Sequence, residues 1–181
     1  MAAQTSPLSL EEFHARFDGA KPAYEYWDGV AIQKPMPTLL HSILEVILTM
    51  FLDKAGWNAV PEVRLKVVPD AEPVPDMIAV RGKKYKGRYP KVAPELCIEI
   101  LSPGDTLSKT LSKAKRSISW GSEYVWVIDP EKRTAWILSQ DRPEPVWISP
   151  EGSLRAGDTE ISLSSLFAEV EKKMDLTDSS D

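Results

Sequence analysis

The sequence has one cysteine, Cys97, which excludes an internal disulfide framework and any zinc cage built on thiolates. It has no apolar run approaching the roughly 18 residues of a membrane span; Glu45, Thr49 and Asp53 interrupt the best candidate. The first twelve residues show neither a basic region nor an apolar one of signal-peptide type. The expectation is a cytoplasmic protein with no membrane and no disulfide partner. A glycine-rich phosphate loop and a Ser-His-Asp spacing are also missing, which removes two common enzyme classes. Nor is there a basic excess: 22 Lys and Arg face 27 Asp and Glu, for a net charge of −5, which argues against a general nucleic-acid coat.

What is present fits one globular domain. The 181 residues are 43% hydrophobic and 27% charged, the balance of an ordinary folded chain. At roughly 150 residues per domain this length gives one unit, able to bury about 70% of its unfolded surface without staples. The expected division is a single domain over 1–170 and an acidic, disordered tail over 171–181. Charge is unevenly spread. Arg81, Lys83, Lys84, Lys86, Arg88 and Lys91 have no acid among them, and neither do Lys109, Lys113, Lys115 and Arg116. Such groups can neutralise phosphates on an acidic protein, or simply be solvated.

Local signals place the elements. Ser9-Leu10-Glu11-Glu12 has capping-box form and predicts a helix over about 10–17. Asp28-Gly29 between extended runs 24–27 and 30–34 predicts a hairpin. Thr38 as N-cap and Gly56 as stop bound a helix to about Lys54; its polar residues His41, Glu45, Thr49 and Asp53 form one ridge. Strands are expected over 60–68, 77–80, 95–101, 124–128, 134–138 and 146–148, with a turn over 69–75 and a long basic loop over 81–94. Helices are expected from after Asp105 to about Trp120 and over 163–173. Apolar on both faces, 124–128 reads as a central strand. The fold class is α/β (α+β): a mixed sheet flanked by helices.

Two acids stand out. Glu99 shares a strand face with Cys97 and Leu101, where an ionised carboxylate must gain a cation, donors or a proton. Asp76 opens the strand at 77–80, directly after Pro75. Carboxylates on neighbouring strands can converge on one hard cation; the alternative is that Glu99 pairs with a Lys or Arg and Asp76 caps a turn. Asp70 repeats the Val-Pro-Asp tripeptide but sits in a turn, facing solvent. Lys113 lies well off the apolar stripe of Leu107, Leu111, Ala114 and Ile118, facing either the carboxylates or water. Cys97 reads as an inert core thiol, and the six tryptophans as packing residues.

Pro75-Asp76, the strand Leu96-Cys97-Ile98-Glu99-Ile100-Leu101-Ser102-Pro103 and the helix bearing Lys113 resemble the PD-(D/E)XK nuclease superfamily. Within it the chain is similar to the bacterial restriction-endonuclease-like family called Uma-type (Uma-two), through Tyr24-Glu25-Tyr26-Trp27-Asp28-Gly29, His41 and Trp126-Val127-Ile128-Asp129-Pro130 over about residues 8–170. The resemblance implies a restriction-endonuclease-like fold and a Mg²⁺- or Mn²⁺-dependent DNA endonuclease. Asp76, Glu99 and the backbone carbonyl of Ile100 would hold the metal. The superfamily lysine two residues after the glutamate is replaced by Leu101, and its role passes to Lys113, with Lys109 and Lys115 as fallbacks. Ser117 departs from an aromatic common in the family. The implied chemistry is hydrolysis by a metal-activated water, with Lys113 orienting the water and offsetting charge, leaving a 5′-phosphate.

Glu25, His41 and Glu45 are accessory candidates for a second metal or a proton relay, with structural roles as the alternative. Lys83, Lys84, Lys86 and Arg88 are candidate DNA-backbone contacts, with Tyr85 and Tyr89 available for stacking. A homodimer is allowed. The competing reading is a nuclease-fold module that binds nucleic acid or protein without turnover.

Overall fold

Ser9 opens the first helix. Its hydroxyl accepts the Glu12 amide while the Glu12 carboxylate accepts the Ser9 amide, so two orphan donors satisfy each other. The computed structural model describes residues 7–174, and in it helix α1 spans Leu10–Phe17. Strands β1 (Tyr24–Trp27) and β2 (Val30–Gln33) follow as an antiparallel hairpin. Asp28 and Gly29 turn it with φ of 51° and 84°, the two left-handed residues that an Asp-Gly turn supplies. Helix α2, Leu39–Lys54, starts where the Thr38 hydroxyl accepts the His41 amide.

The main sheet has six strands. They are β3 (Trp57–Pro61), β5 (Met77–Arg81), β6 (Leu96–Ile100), β7 (Tyr124–Asp129), β8 (Thr134–Ser139) and β9 (Val146–Ile148), in that spatial order. The β6–β7 pair alone is parallel, and helix α3, Leu107–Ser119, makes the crossover that such a pair needs. The short strand β4, Ala71–Glu72, joins β1 in a small second sheet. A hairpin of β10 (Ser153–Ala156) and β11 (Thr159–Ser162) leads into α4, Leu163–Glu171.

Both faces of the main sheet are covered. Leu44, Leu48 and Leu52 of α2 and Leu166 and Val170 of α4 pack against Met77, Ile98, Trp126 and Ile128. On the other face Ala114 and Ile118 of α3 meet Ile78, Cys97, Val125 and Val127. Cover on both sides is why β7 is apolar at every position from Val125 to Ile128. The expected mixed sheet flanked by helices is the observed one.

Four local expectations are corrected. The strand expected over 60–68 instead runs from Trp57 to Pro61. Glu62, with φ 49°, turns the chain, and Val63, Leu65 and Val67 alternate because they cross the α3-side core rather than because they pair. The turn expected over 69–75 contains β4. The β10–β11 hairpin falls where no element is expected. At the C-terminus α4 ends at Glu171 rather than Lys173; the expected tail over 171–181 thus begins inside the helix's last residue, and its residues 175–181 lie outside the described ones.

Candidate active site

The acids meet because of strand register. β5 and β6 pair Met77 with Ile98, and one step further along the same register Asp76 stands opposite Glu99. Side chains directly opposite in an antiparallel pair share a face. That face is the one α3 covers, since Asp76 alternates with Ile78 and Glu99 with Cys97. Asp76 is buried, and its Oδ2 accepts the Ile100 backbone amide at 2.7 Å. This leaves Oδ1 for side chains and ions.

The β1–β2 hairpin lies over this strand end and contributes two charged groups. Glu25, 2% exposed, accepts the Val74 amide through Oε1 at 2.9 Å and the Trp27 indole through Oε2 at 3.0 Å. Lys113 of α3 donates to the same Oε2, its ammonium 5.4 Å from the centre of the Trp27 ring. From the end of β2, Lys34 donates to Asp76 Oδ1 and to the Val74 carbonyl, each at 2.8 Å. Burial alone would lower the Lys34 ammonium, but the Asp76 and Glu99 carboxylates outweigh it and hold the group above its ordinary value. Lys113 behaves alike: burial opposes its charge, and Glu25 and Glu99 restore it with a surplus.

Glu99 is pushed the other way. Desolvation raises its pKa well above the usual glutamate range, the Asp76 and Glu25 charges raise it further, and Lys34 and Lys113 offset only part. The N-terminal turn of α2 completes the wall. His41 shares a 2.9 Å hydrogen bond with the Ser102 hydroxyl through Nδ1. Its Nε2 lies 3.6 Å from Glu45 Oε1 and 3.7 Å from Asp76 Oδ1. Burial disfavours the imidazolium, yet Glu45 and Asp76 raise the His41 pKa overall. Glu45 Oε1 is itself buried with no hydrogen-bond partner.

Glu25, Lys34, His41, Asp76, Glu99, Ser102 and Lys113 line one cavity of about 540 Å³, whose lining residues all fall between 25 and 116 in the chain, and Glu45 adjoins it through His41. Among the described residues, His41, Glu45 and Asp76 bring ligand atoms within 4.8 Å of one another, a spacing one cation with bonds of about 2.1 Å can draw together. Glu99 lines the same cavity but is not in that tight group.

The structure therefore brings together Asp76, Glu99, Ile100, Lys113, Glu25 and His41 around the cavity, with Glu45 beside His41 and Asp76. What it shows of Ile100 is the amide, donated to Asp76. Lys113 faces the carboxylates, and of the two fallback lysines Lys109 lines the cavity while Lys115 pairs with Glu144. Asp70 is 60% exposed, as expected of a turn acid. Lys83, Lys84, Lys86 and Arg88 are not brought to the acids. Their loop joins the far ends of β5 and β6, where it frames a separate cavity of about 650 Å³ and Lys83 pairs with Glu95. Two site residues are absent from the sequence expectations, Lys34 and Ser102. Lys34 carries no motif, and only its place at the end of a strand that follows an Asp-Gly turn could have drawn attention to it.

The profile of the Uma2 family, described as "Putative restriction endonuclease", matches residues 10–176. A crystal structure of a "putative nuclease belonging to DUF820" from Anabaena variabilis ATCC 29413 superposes with a TM-score of 0.74 at 25% identity, covering 91% of this chain and 99% of that one. A cryo-EM structure of a DrdV–DNA complex aligns at a TM-score of 0.41 and 15% identity over 71% of this chain and 10% of that one, too low a similarity to bear on fold or function. No curated protein matches.

Proposed function

The chain belongs to the Uma2 family of restriction-endonuclease type, and on that premise we propose that it is a divalent-metal-dependent endonuclease hydrolysing DNA phosphodiester bonds. One observation carries the reading. Three acids of the cavity wall, Glu25, Asp76 and Glu99, and a fourth beside it, Glu45, are set against the ammoniums of Lys34 and Lys113. Carboxylates outnumber those ammoniums in a desolvated place, and a divalent cation suits such a site.

The residues suit such an ion. Carboxylates and an imidazole are a donor set for Mg²⁺ or Mn²⁺, and the orphaned Glu45 Oε1 beside His41 Nε2 is an acceptor short of a partner. Asp76 and Glu99, with the Ile100 carbonyl as the family pattern has it, would hold the ion, and His41 and Glu45 would share Asp76. A bound cation of this kind polarises a phosphate oxygen and lowers the pKa of its water. Asp76 is pre-aimed by the Ile100 amide. Lys113 is fixed by Glu25 and Trp27 where it can offset charge on a phosphate entering the cavity. Ser102 sets the His41 ring through Nδ1 and turns Nε2 toward the acids. Lys109, Ser112 and Arg116 along α3 line the approach and are the backbone contacts proposed for DNA.

A supercoiled-plasmid assay with Mg²⁺ or Mn²⁺ tests this. Nicking by the wild type, reduced by at least about a hundredfold in Asp76→Ala, Glu99→Ala and Lys113→Ala, is expected. Equal nicking by all four proteins would refute it. A second reading, a DNA-binding module without turnover, is favoured by the way both ammoniums already engage carboxylates. It predicts retained DNA binding and no cutting with either metal.

A further inference from the structure

Lys34 sits on the oxygen that the proposed metal requires. Asp76 Oδ2 is taken by the Ile100 amide, so Oδ1 is the oxygen open to an ion. Lys34 Nζ is 2.8 Å from that atom, and His41 Nε2 approaches it at 3.7 Å. An ammonium and a divalent cation on one carboxylate oxygen would lie only about 3–4 Å apart in a low-dielectric cavity, a repulsion too large to sustain. The two occupancies exclude each other. Lys34 also has somewhere to stay: the Val74 carbonyl is at 2.8 Å and Glu62 Oε1 at 3.6 Å. Val74 itself is anchored by its amide to Glu25, so this second resting place is tied to the same cavity wall.

We propose that Lys34 is an internal counter-cation of the site, competing with the divalent metal for Asp76 Oδ1 and moving off that oxygen, onto Val74 and Glu62, when the metal binds. The inference rests on the metal-dependent reading above and adds to it a device that sets the metal threshold. Lys34 holds the carboxylate cluster together when metal is scarce, and metal must displace it to enter. A purely structural lysine would do the opposite, since its loss would loosen the wall and weaken metal binding.

Calorimetric Mn²⁺ titration of the wild type, Lys34→Gln, Lys34→Arg and Asp76→Asn tests the sign, with folding checked by circular dichroism. Glutamine can still donate to the Val74 carbonyl but brings no charge, so Lys34→Gln should bind Mn²⁺ more tightly, by on the order of tenfold. Arginine keeps the charge and can grip a carboxylate with two donors, so Lys34→Arg should bind several-fold more weakly. Asp76→Asn should lose binding. If binding depends on Asp76 but Lys34→Gln is unchanged or weaker, the counter-cation role is overturned and the metal site stands. If neither wild type nor Lys34→Gln shows Asp76-dependent binding, both fall. Should Lys34→Gln not fold, an unaltered affinity in Lys34→Arg overturns the proposal by itself.

Discussion

Glu99 is charged only against resistance, and this gives a pH signature. Its folded pKa is raised by desolvation first and by Asp76 and Glu25 next. Between the ordinary glutamate range and that raised value the native state therefore binds more protons than the unfolded chain, so stability falls as pH rises through the window. Glu99→Gln removes the titrating group. In metal-free protein it should match the wild type near pH 4 and melt higher at pH 7–8, by a few degrees for each kcal/mol at this chain length. Scanning calorimetry over pH, with a chelator present, reads this; a constant difference across the range would refute it. Saturating Mn²⁺ should reverse the order, because only the acid is offered to the ion. At this scale the sequence was readable where chemistry is scarce: an acid in an apolar strand and a Pro-Asp at a strand mouth are conspicuous. Lys34 was not, since a lysine closing a strand is commonplace and its partner Asp76 stands 42 positions away. The burial of Cys97 in the core was also readable, and it pushes the thiol up to about 12.

Among elements, the β1–β2 hairpin matters most to the site, because Glu25 and Lys34 sit at its open end. Its turn leaves no room for error. Gly29 has φ +84°, and an added Cβ would come within 2.5 Å of Pro7 Cβ. Gly29→Ala should thus destabilise the protein by about 1–3 kcal/mol and, by shifting the hairpin, weaken Mn²⁺ binding as well, read by denaturant melts and calorimetry on the folded fraction. Intact metal binding alongside normal stability would show that the turn does not govern the site. Elements defined by local chemistry were legible: the Ser9–Glu12 box, the Thr38 cap and the Asp-Gly turn each act within four residues. The crossing over 63–68 was not. Its alternation mimics a strand, but Leu65 faces a core assembled from β5, β6, β7, β8 and α3, a partnership invisible in a local window.

For the molecule as a whole, the sheet separates two packing layers: the α3 layer borders the cavity along the helix, and the α2–α4 layer reaches it through His41 and Ile100. Leu48 is wholly buried in the α2–α4 layer. Leu48→Ala should cost about 2–5 kcal/mol, yet Mn²⁺ affinity of the folded protein should stay within about twofold; urea unfolding and calorimetry check the pair of outcomes. A large loss of affinity at unchanged helicity would mean that α2 cannot hold His41 and Glu45 without that layer intact.

Since every cavity residue lies between 25 and 116, β8, β9 and the closing hairpin act as a plinth. The exposed bend at 141–144, between β8 and β9, belongs to that plinth. It offers a graft point: a fluorescent tag or a targeting module spliced there would disturb the Lys115–Glu144 pair on α3 but would replace no residue that lines the chamber where the acids meet.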